Sequence, residues 1–185
     1  MGSTETLVQD HLIILGVLEG LERRLQEARK TATVPKDYLR DLITFSRVFI
    51  DRCHHGKEER CLFPCLEKRG MGREDGPIAV MLQEHEWGRG LVRQIDDTLT
   101  RFEAGKGTAS EVFGPCDAYL ALLRQHIDKE NGVLYPFGEL RMETGDHEQN
   151  RRCYAAREGE LGAGEHERME GLARKLSGGH VEHAH

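Results

Sequence analysis

No stretch of this 185-residue sequence comes near the roughly 18 consecutive apolar residues that a membrane-spanning helix needs. The opening MGSTETLVQDH lacks a basic stretch followed by an apolar run, the pattern of a secretory leader. A cytoplasmic location with no membrane partner is therefore expected. Basic charge is not in excess either. Lys plus Arg number 26 against 32 Asp plus Glu, a balance of −6, which argues against nucleic acid as the main partner. Cysteine is sparse and odd in number, at five, in a chain long enough to bury a core without disulfide staples. All five are expected to be reduced thiols, and a redox pair between Cys61 and Cys65, at helical spacing, is the exception to consider. Strand-like alternation and repeats of solenoid length are also missing.

What is present is helical spacing. Residues 4 to about 30 place Leu7, Val8, Ile14, Leu15, Leu18, Leu21 and Leu25 at steps of three and four. TATVPKD interrupts them, and a second helix runs from near Pro35 to about Lys68, ending in RGMGREDG. A third helix spans Pro77 to Ala104 and stops at GKG. A fourth follows to about Met142, with Gly132 and Pro136 placed to bend it. Residues 144–164 are polar and contain glycine, so they are expected as a loop with at most a short helical piece. GEHERMEGLARKLSGG makes a short final helix, and HVEHAH a frayed tail. The expected fold is all-α: an antiparallel up-down four-helix bundle over residues 1–143, with residues 144–185 packing on it.

Each apolar stripe carries the same anomaly. On helix two, stepping from Ile43 through Ile50 reaches His54, Glu58, Leu62 and Cys65, whereas His55 and Glu59 fall with Asp51 and Arg52 on a wet face. Helix four runs Tyr119, Leu122, Leu123, His126, Glu130, Val133, Leu134 and Phe137. Helix three has His85 in the middle of its stripe, and helix one has His11. His11 lies about 19 residues before the end of its helix and His54 about 18 after the start of the next, so both stand roughly 28 Å from their shared loop. His85 and His126 match in the same way, and the longer RGMGREDGP turn absorbs the looser fit between helices two and three. Six polar side chains thus converge on one layer.

A lone histidine on an apolar face is commonly a core residue satisfied by one hydrogen bond. Four histidines and two carboxylates at one level are too costly to bury without a charge to coordinate, and a cation resolves the cost. Imidazole and carboxylate ligands by themselves suit iron, manganese, zinc or copper.

The pattern His11, His54-x-x-x-Glu58, His85, His126-x-x-x-Glu130 resembles the hemerythrin-like, or HHE cation-binding, family. HHGKEERCLFP, QEHEWGR and RQHIDKENGVLYP read like that family's helix signatures, over about residues 7 to 140. The resemblance implies iron, as a carboxylate-bridged di-iron pair with an oxo, hydroxo or water bridge. It implies O2, peroxide or nitric oxide as the small ligand. One departure stands out: respiratory hemerythrins carry a second histidine four residues after the first on helix three, and here that position is Arg89. Six ligands rather than seven leave a coordination position open, for water, a bridging oxygen species, Tyr119 or His166. Arg89 is placed to pair with a carboxylate near the site or to reach solvent. An open position tilts the expectation toward sensing or catalase- or peroxidase-like turnover over simple carriage. Two other classes remain: an iron-sensing or iron-buffering module, and a metal-free helical interaction protein. The oligomeric state is left open.

Overall fold

The structure, a computed structural model, describes residues 2–179; the HVEHAH segment lies outside the described residues. Among those residues the fold is all-helical, as the spacing predicts, with six helices rather than five. Helix α1 is Thr4–Thr31, α2 is residues 36–68, α3 is Pro77–Glu103, and α4 is residues 109–139. Two more follow, α5 (Thr144–Gly159) and α6 (Glu165–Leu176). None is long and apolar enough to cross a membrane.

Local chemistry sets the boundaries. Ala32 takes a left-handed conformation (φ 52°) and returns its N–H to the Ala28 carbonyl, which closes α1. Pro77 opens α3 at a position where the missing N–H costs nothing. Thr108 and Glu111 form a reciprocal capping box at the start of α4. Glu143 and Asp146 do the same for α5, so residues 144–159 form a helix where a loop is expected. Its polar composition hid it: only Asn150 and Tyr154 are buried on that helix.

Two apolar clusters fill the interior. One joins Leu18, Leu42, Phe49, Ile95 and Leu123 to Met169, Ala173 and Leu176 of α6. The other joins Leu7, Leu62, Phe63, Ile78, Leu134 and Tyr154. At Gly20 a Cβ would collide with the Leu176 carbonyl, so glycine is what lets α6 close on α1. Along every one of the first four helices, the anomalous histidine sits between residues of one cluster and residues of the other. The polar layer is a slab with oil on both sides.

The thiols depart from expectation. Cys61 and Cys153 form a disulfide across 92 residues, tying α2 to α5, while Cys53, Cys65 and Cys116 are free. The expectation of five reduced thiols, with Cys61–Cys65 as the exception to consider, fails because α5 was not foreseen.

Candidate metal centre

Two helices change pitch where the site is built. In α2 the segments Ser46–His55 and Glu58–Leu62 are π-helical, and in α4 so is Glu130–Leu134. The Phe63 N–H bonds to the Glu58 carbonyl and the Tyr135 N–H to the Glu130 carbonyl, each five residues back. A proline follows each glutamate at the same distance: Pro64 after Glu58, Pro136 after Glu130. Proline offers no N–H and its ring presses on the carbonyl four residues earlier, so the turn ahead of it opens.

The wider pitch re-aims side chains. Each residue advances through a smaller angle, so the neighbours His54 and His55 both fit the inward arc. His55 is 4% exposed, contrary to the wet face that regular spacing assigns it. Its ring stacks on His85 with centroids 3.7 Å apart. Beyond Glu130 the stripe also moves: Val133 and Phe137 are 57% and 41% exposed, while Leu134 and Tyr135 are buried.

The structure gathers all six sequence-predicted residues and adds His55. His55, Glu58, His85 and His126 form one group of potential ligand atoms; His11, His54 and Glu130 form a second. Glu130 faces both, with Oε2 3.0 Å from His11 Nε2 and Oε1 3.2 Å from His126 Nε2. Glu58 Oε2 lies 3.3 Å from His85 Nε2 and 3.7 Å from His54 Nε2.

The outward nitrogens fix the rings. His54 Nδ1 meets Asp10 Oδ2 at 3.2 Å, His85 Nδ1 meets Glu59 Oε1 at 2.7 Å, and His126 Nδ1 meets Glu84 Oε2 at 3.0 Å. His11 Nδ1 meets Asn131 Oδ1 at 2.8 Å. A carboxylate only accepts, so Nδ1 carries the hydrogen and Nε2 presents a lone pair to the centre. Each carboxylate is in turn held by a cation: Asp10 by Lys57, Glu59 by Arg89, Glu84 by Lys129. Arg89 thus acts from behind, donating also to Asp51 and Glu86.

These tautomers leave a problem at the centre. His11 Nε2 and His54 Nε2 stand 3.0 Å apart, two lone pairs facing each other. Both nitrogens of His55, Glu58 Oε2, His85 Nε2, His126 Nε2 and Glu130 Oε1 are buried without a hydrogen-bond partner. So many orphaned buried polar atoms, most of them acceptors, are tolerable only with protons or a cation among them. This donor set fits a bound cation.

Protonation reflects the same frustration. Burial works against charge on His126, but Glu130 and Glu84 outweigh it and push its pKa up to about 10. His11 and His85 are raised likewise, against their burial, by Glu130 and by Glu58 with Glu59. Burial would lift the Glu130 carboxyl, yet His126 and His11 hold it well below the usual carboxylate range. His55, buried and beside His85, is driven well below 6.5 and stays neutral. A cation must displace the proton that His126 holds near pH 7, and the raised His11 and His85 add to it, so uptake is expected to release protons, about one or more per chain. Titrating metal into weakly buffered protein with a pH indicator checks this, and uptake without proton release contradicts it.

Tyr135 is a site residue that the sequence reading missed. Its hydroxyl donates to Glu58 Oε1 at 2.7 Å, and its ring stacks on His11. Burial, Glu130 and Glu58 push its pKa well above the ordinary value, so it remains a phenol. Its position directly before Pro136 was the available signal. Tyr119 instead lines a cavity of about 320 Å³ that reaches His55, with Ile50, Gly88, Arg89 and Val92. His166 belongs to a separate group with Cys53 and Glu158, where Lys57 Nζ stands 2.6 Å from Glu158 and already supplies the positive charge.

Comparison with known proteins bears on this layer. Over 87 residues the chain is 38% identical to the "Iron-sulfur cluster repair protein YtfE" of Musicola paradisiaca. It is 37% identical over 87 residues to proteins of the same description from Yersinia pestis and Yersinia pseudotuberculosis. Each match covers 45% of this chain and 39% of the relative, so the chain spans about two fifths of the length of the curated relatives it matches. No solved structure matches it. Residues 2–137, which contain both ligand groups, match the family described as the hemerythrin HHE cation binding domain, and the chain belongs to that family.

Proposed function

We propose that α1–α4 form an antiparallel up-down bundle that holds two iron ions and binds or turns over O2, peroxide or nitric oxide. His55, His85 and His126 would hold one ion and His11 and His54 the other, with Glu58 and Glu130 placed to serve them as carboxylate ligands. The observation that carries this reading is the set of buried acceptor atoms aimed inward with no partner. With His55 in place the donors number seven, so no position has to be filled by Tyr119 or His166.

Iron, when bound, supplies Lewis acidity and one-electron chemistry. The chain does the rest. Four Nδ1 contacts hold the rings so that the donors need little rearrangement. Tyr135 keeps a proton on its hydroxyl 2.7 Å from Glu58 Oε1, inside the layer and away from solvent. The cavity beside His55 gives a diatomic or peroxide-sized ligand a way in, while the apolar clusters on either side keep bulk water out.

Metal analysis of protein purified without a nickel column, with an optical spectrum in air, tests the proposal. About two irons per chain and near-ultraviolet absorption are expected, and His55→Ala and His85→Ala each lose at least one ion. Protein that takes up no cation under anaerobic iron loading sinks the reading. Oxygen evolution from added peroxide that disappears in His54→Ala marks catalase-like turnover. The relatives' name, iron-sulfur cluster repair protein, favours a second reading, iron handling. It is distinguished by transfer of iron to an apo acceptor without consumption of peroxide or nitric oxide.

A further inference from the structure

We propose that Cys61–Cys153 is a thiol–disulfide exchange site, operated by a small-molecule thiol, that clamps α5 over the metal layer and sets how firmly His54 is held. The bridge joins the π-helical turn directly after Glu58 to the middle of α5. Cys61 is buried, but Cys153 is only half-buried and lines a surface cavity of about 130 Å³ with Cys61, Cys65, Arg60 and Lys68. An incoming thiolate therefore has one sulfur to attack. Arg60 and Lys68 at the rim favour its negative charge, against the one carboxylate there, Asp146, which Arg69 already engages.

The chemistry closes on itself. A thiolate attacks Cys153 Sγ, the Cys61–Cys153 bond breaks, and Cys61 leaves as a thiolate that takes up a proton. A second thiol attacks the mixed disulfide, freeing Cys153 and releasing the oxidised external disulfide. Two electrons pass from two external thiols to the protein.

What the clamp holds lies five residues further along α5. Glu158 reaches Lys57 Nζ at 2.6 Å, Lys57 reaches Asp10 at 3.1 Å, and Asp10 accepts from His54 Nδ1 at 3.2 Å. The link is continuous and its inner part is buried: Lys57 and His54 are shut off from solvent and Asp10 almost so, while Glu158 at the outer end is half-exposed. The side-chain bonds of α5 from Asn150 and His147 to Ser3 and from Asp146 to Arg69 lie on the N-terminal side of Cys153, and just past it Tyr154 is buried in the second apolar cluster. Residues 155–159 are exposed or half-buried, so opening the disulfide removes one of the two ties, Cys153 and Tyr154, that stand next to the turn carrying Glu158. Partners behind a ligating histidine typically change metal affinity by about 10- to 100-fold.

The effect on His54 rests on the metal reading above; the exchange site does not. Full-length protein is equilibrated in glutathione buffers of stepped poise, its thiols are alkylated, and the paired cysteines are identified by peptide mass. In the same samples, limited proteolysis reads α5, and iron release to a chelator reads the centre. The expected result is reversible pairing of Cys61 with Cys153, with cleavage between residues 154 and 164 and iron release each rising about tenfold on reduction. Cys153→Ser behaves as the reduced protein at every poise, and Cys65→Ser as the parent. A pair that never forms, or that forms without altering cleavage, overturns the proposal. Iron release indifferent to poise, with cleavage altered, removes the coupling to His54. Protein that binds no iron but shows the cleavage change refutes the metal reading and leaves the clamp standing.

Discussion

Glu130→Gln is expected to destabilise the metal-free protein by about 3–5 kcal/mol at pH 6 and, on the proposed reading, to lower its cation content. The glutamate oxygens are 3.0 Å from His11 and 3.2 Å from His126, and among the described residues no other carboxylate forms an ion pair with both rings. An amide fills the same space without the charge. The pH dependence separates this cause from simple misfit. His126 titrates near 10 in the folded chain against 6.5 when free, so the stability its proton contributes is complete below about pH 6.5. That contribution is lost as pH rises through about 10. The gap between parent and variant in urea melts should accordingly be widest at pH 6 and nearly closed at pH 10. A gap of constant size would mean that glutamine packs badly and that the charge pairing is irrelevant.

Lys57→Met is expected to cost a comparable 3–5 kcal/mol, through a different failure. The ammonium is wholly buried, and burial opposes its charge, but Asp10 and Glu158 outweigh that and raise its pKa. Removing it strands Asp10 as an unpaired carboxylate behind His54, while the half-exposed Glu158 turns to water. Adding Asp10→Asn should recover most of the loss. The amide oxygen still accepts from His54 Nδ1 and no buried charge remains. Chemical denaturation of the parent, both single variants and the double variant gives the coupling. Strictly additive losses would show that Lys57 and Asp10 do not act as a pair.

Much of this was readable before any coordinates, and the reasons are physical. His126 stands on a stretch where pattern and pitch agree, His54 keeps its four-residue spacing to Glu58 even though both lie in π-helical turns, and counting residues from each loop put all four histidines at one level. Arg89 was legible as a partner of nearby carboxylates, which it is, through Glu59, Asp51 and Glu86. What failed was anything that required the helix to depart from 3.6 residues per turn. His55 went to solvent and Val133 to the core on that assumption, and Tyr135 was overlooked for the same reason. Helix α5 escaped because amphipathic spacing is the signal for a helix, and α5 is polar nearly all round. The disulfide escaped with it: partners 92 residues apart leave no local trace.

The two prolines that follow Glu58 and Glu130 carry a lesson for anyone who would transplant this centre. Copying the donors onto a designed scaffold of uniform pitch would seat six of them and turn His55 to water. A faithful graft has to bring the π-helical Ser46–His55 segment, whose backbone phase turns the seventh donor inward, together with Pro64 and Pro136 and the loosened turns ahead of them.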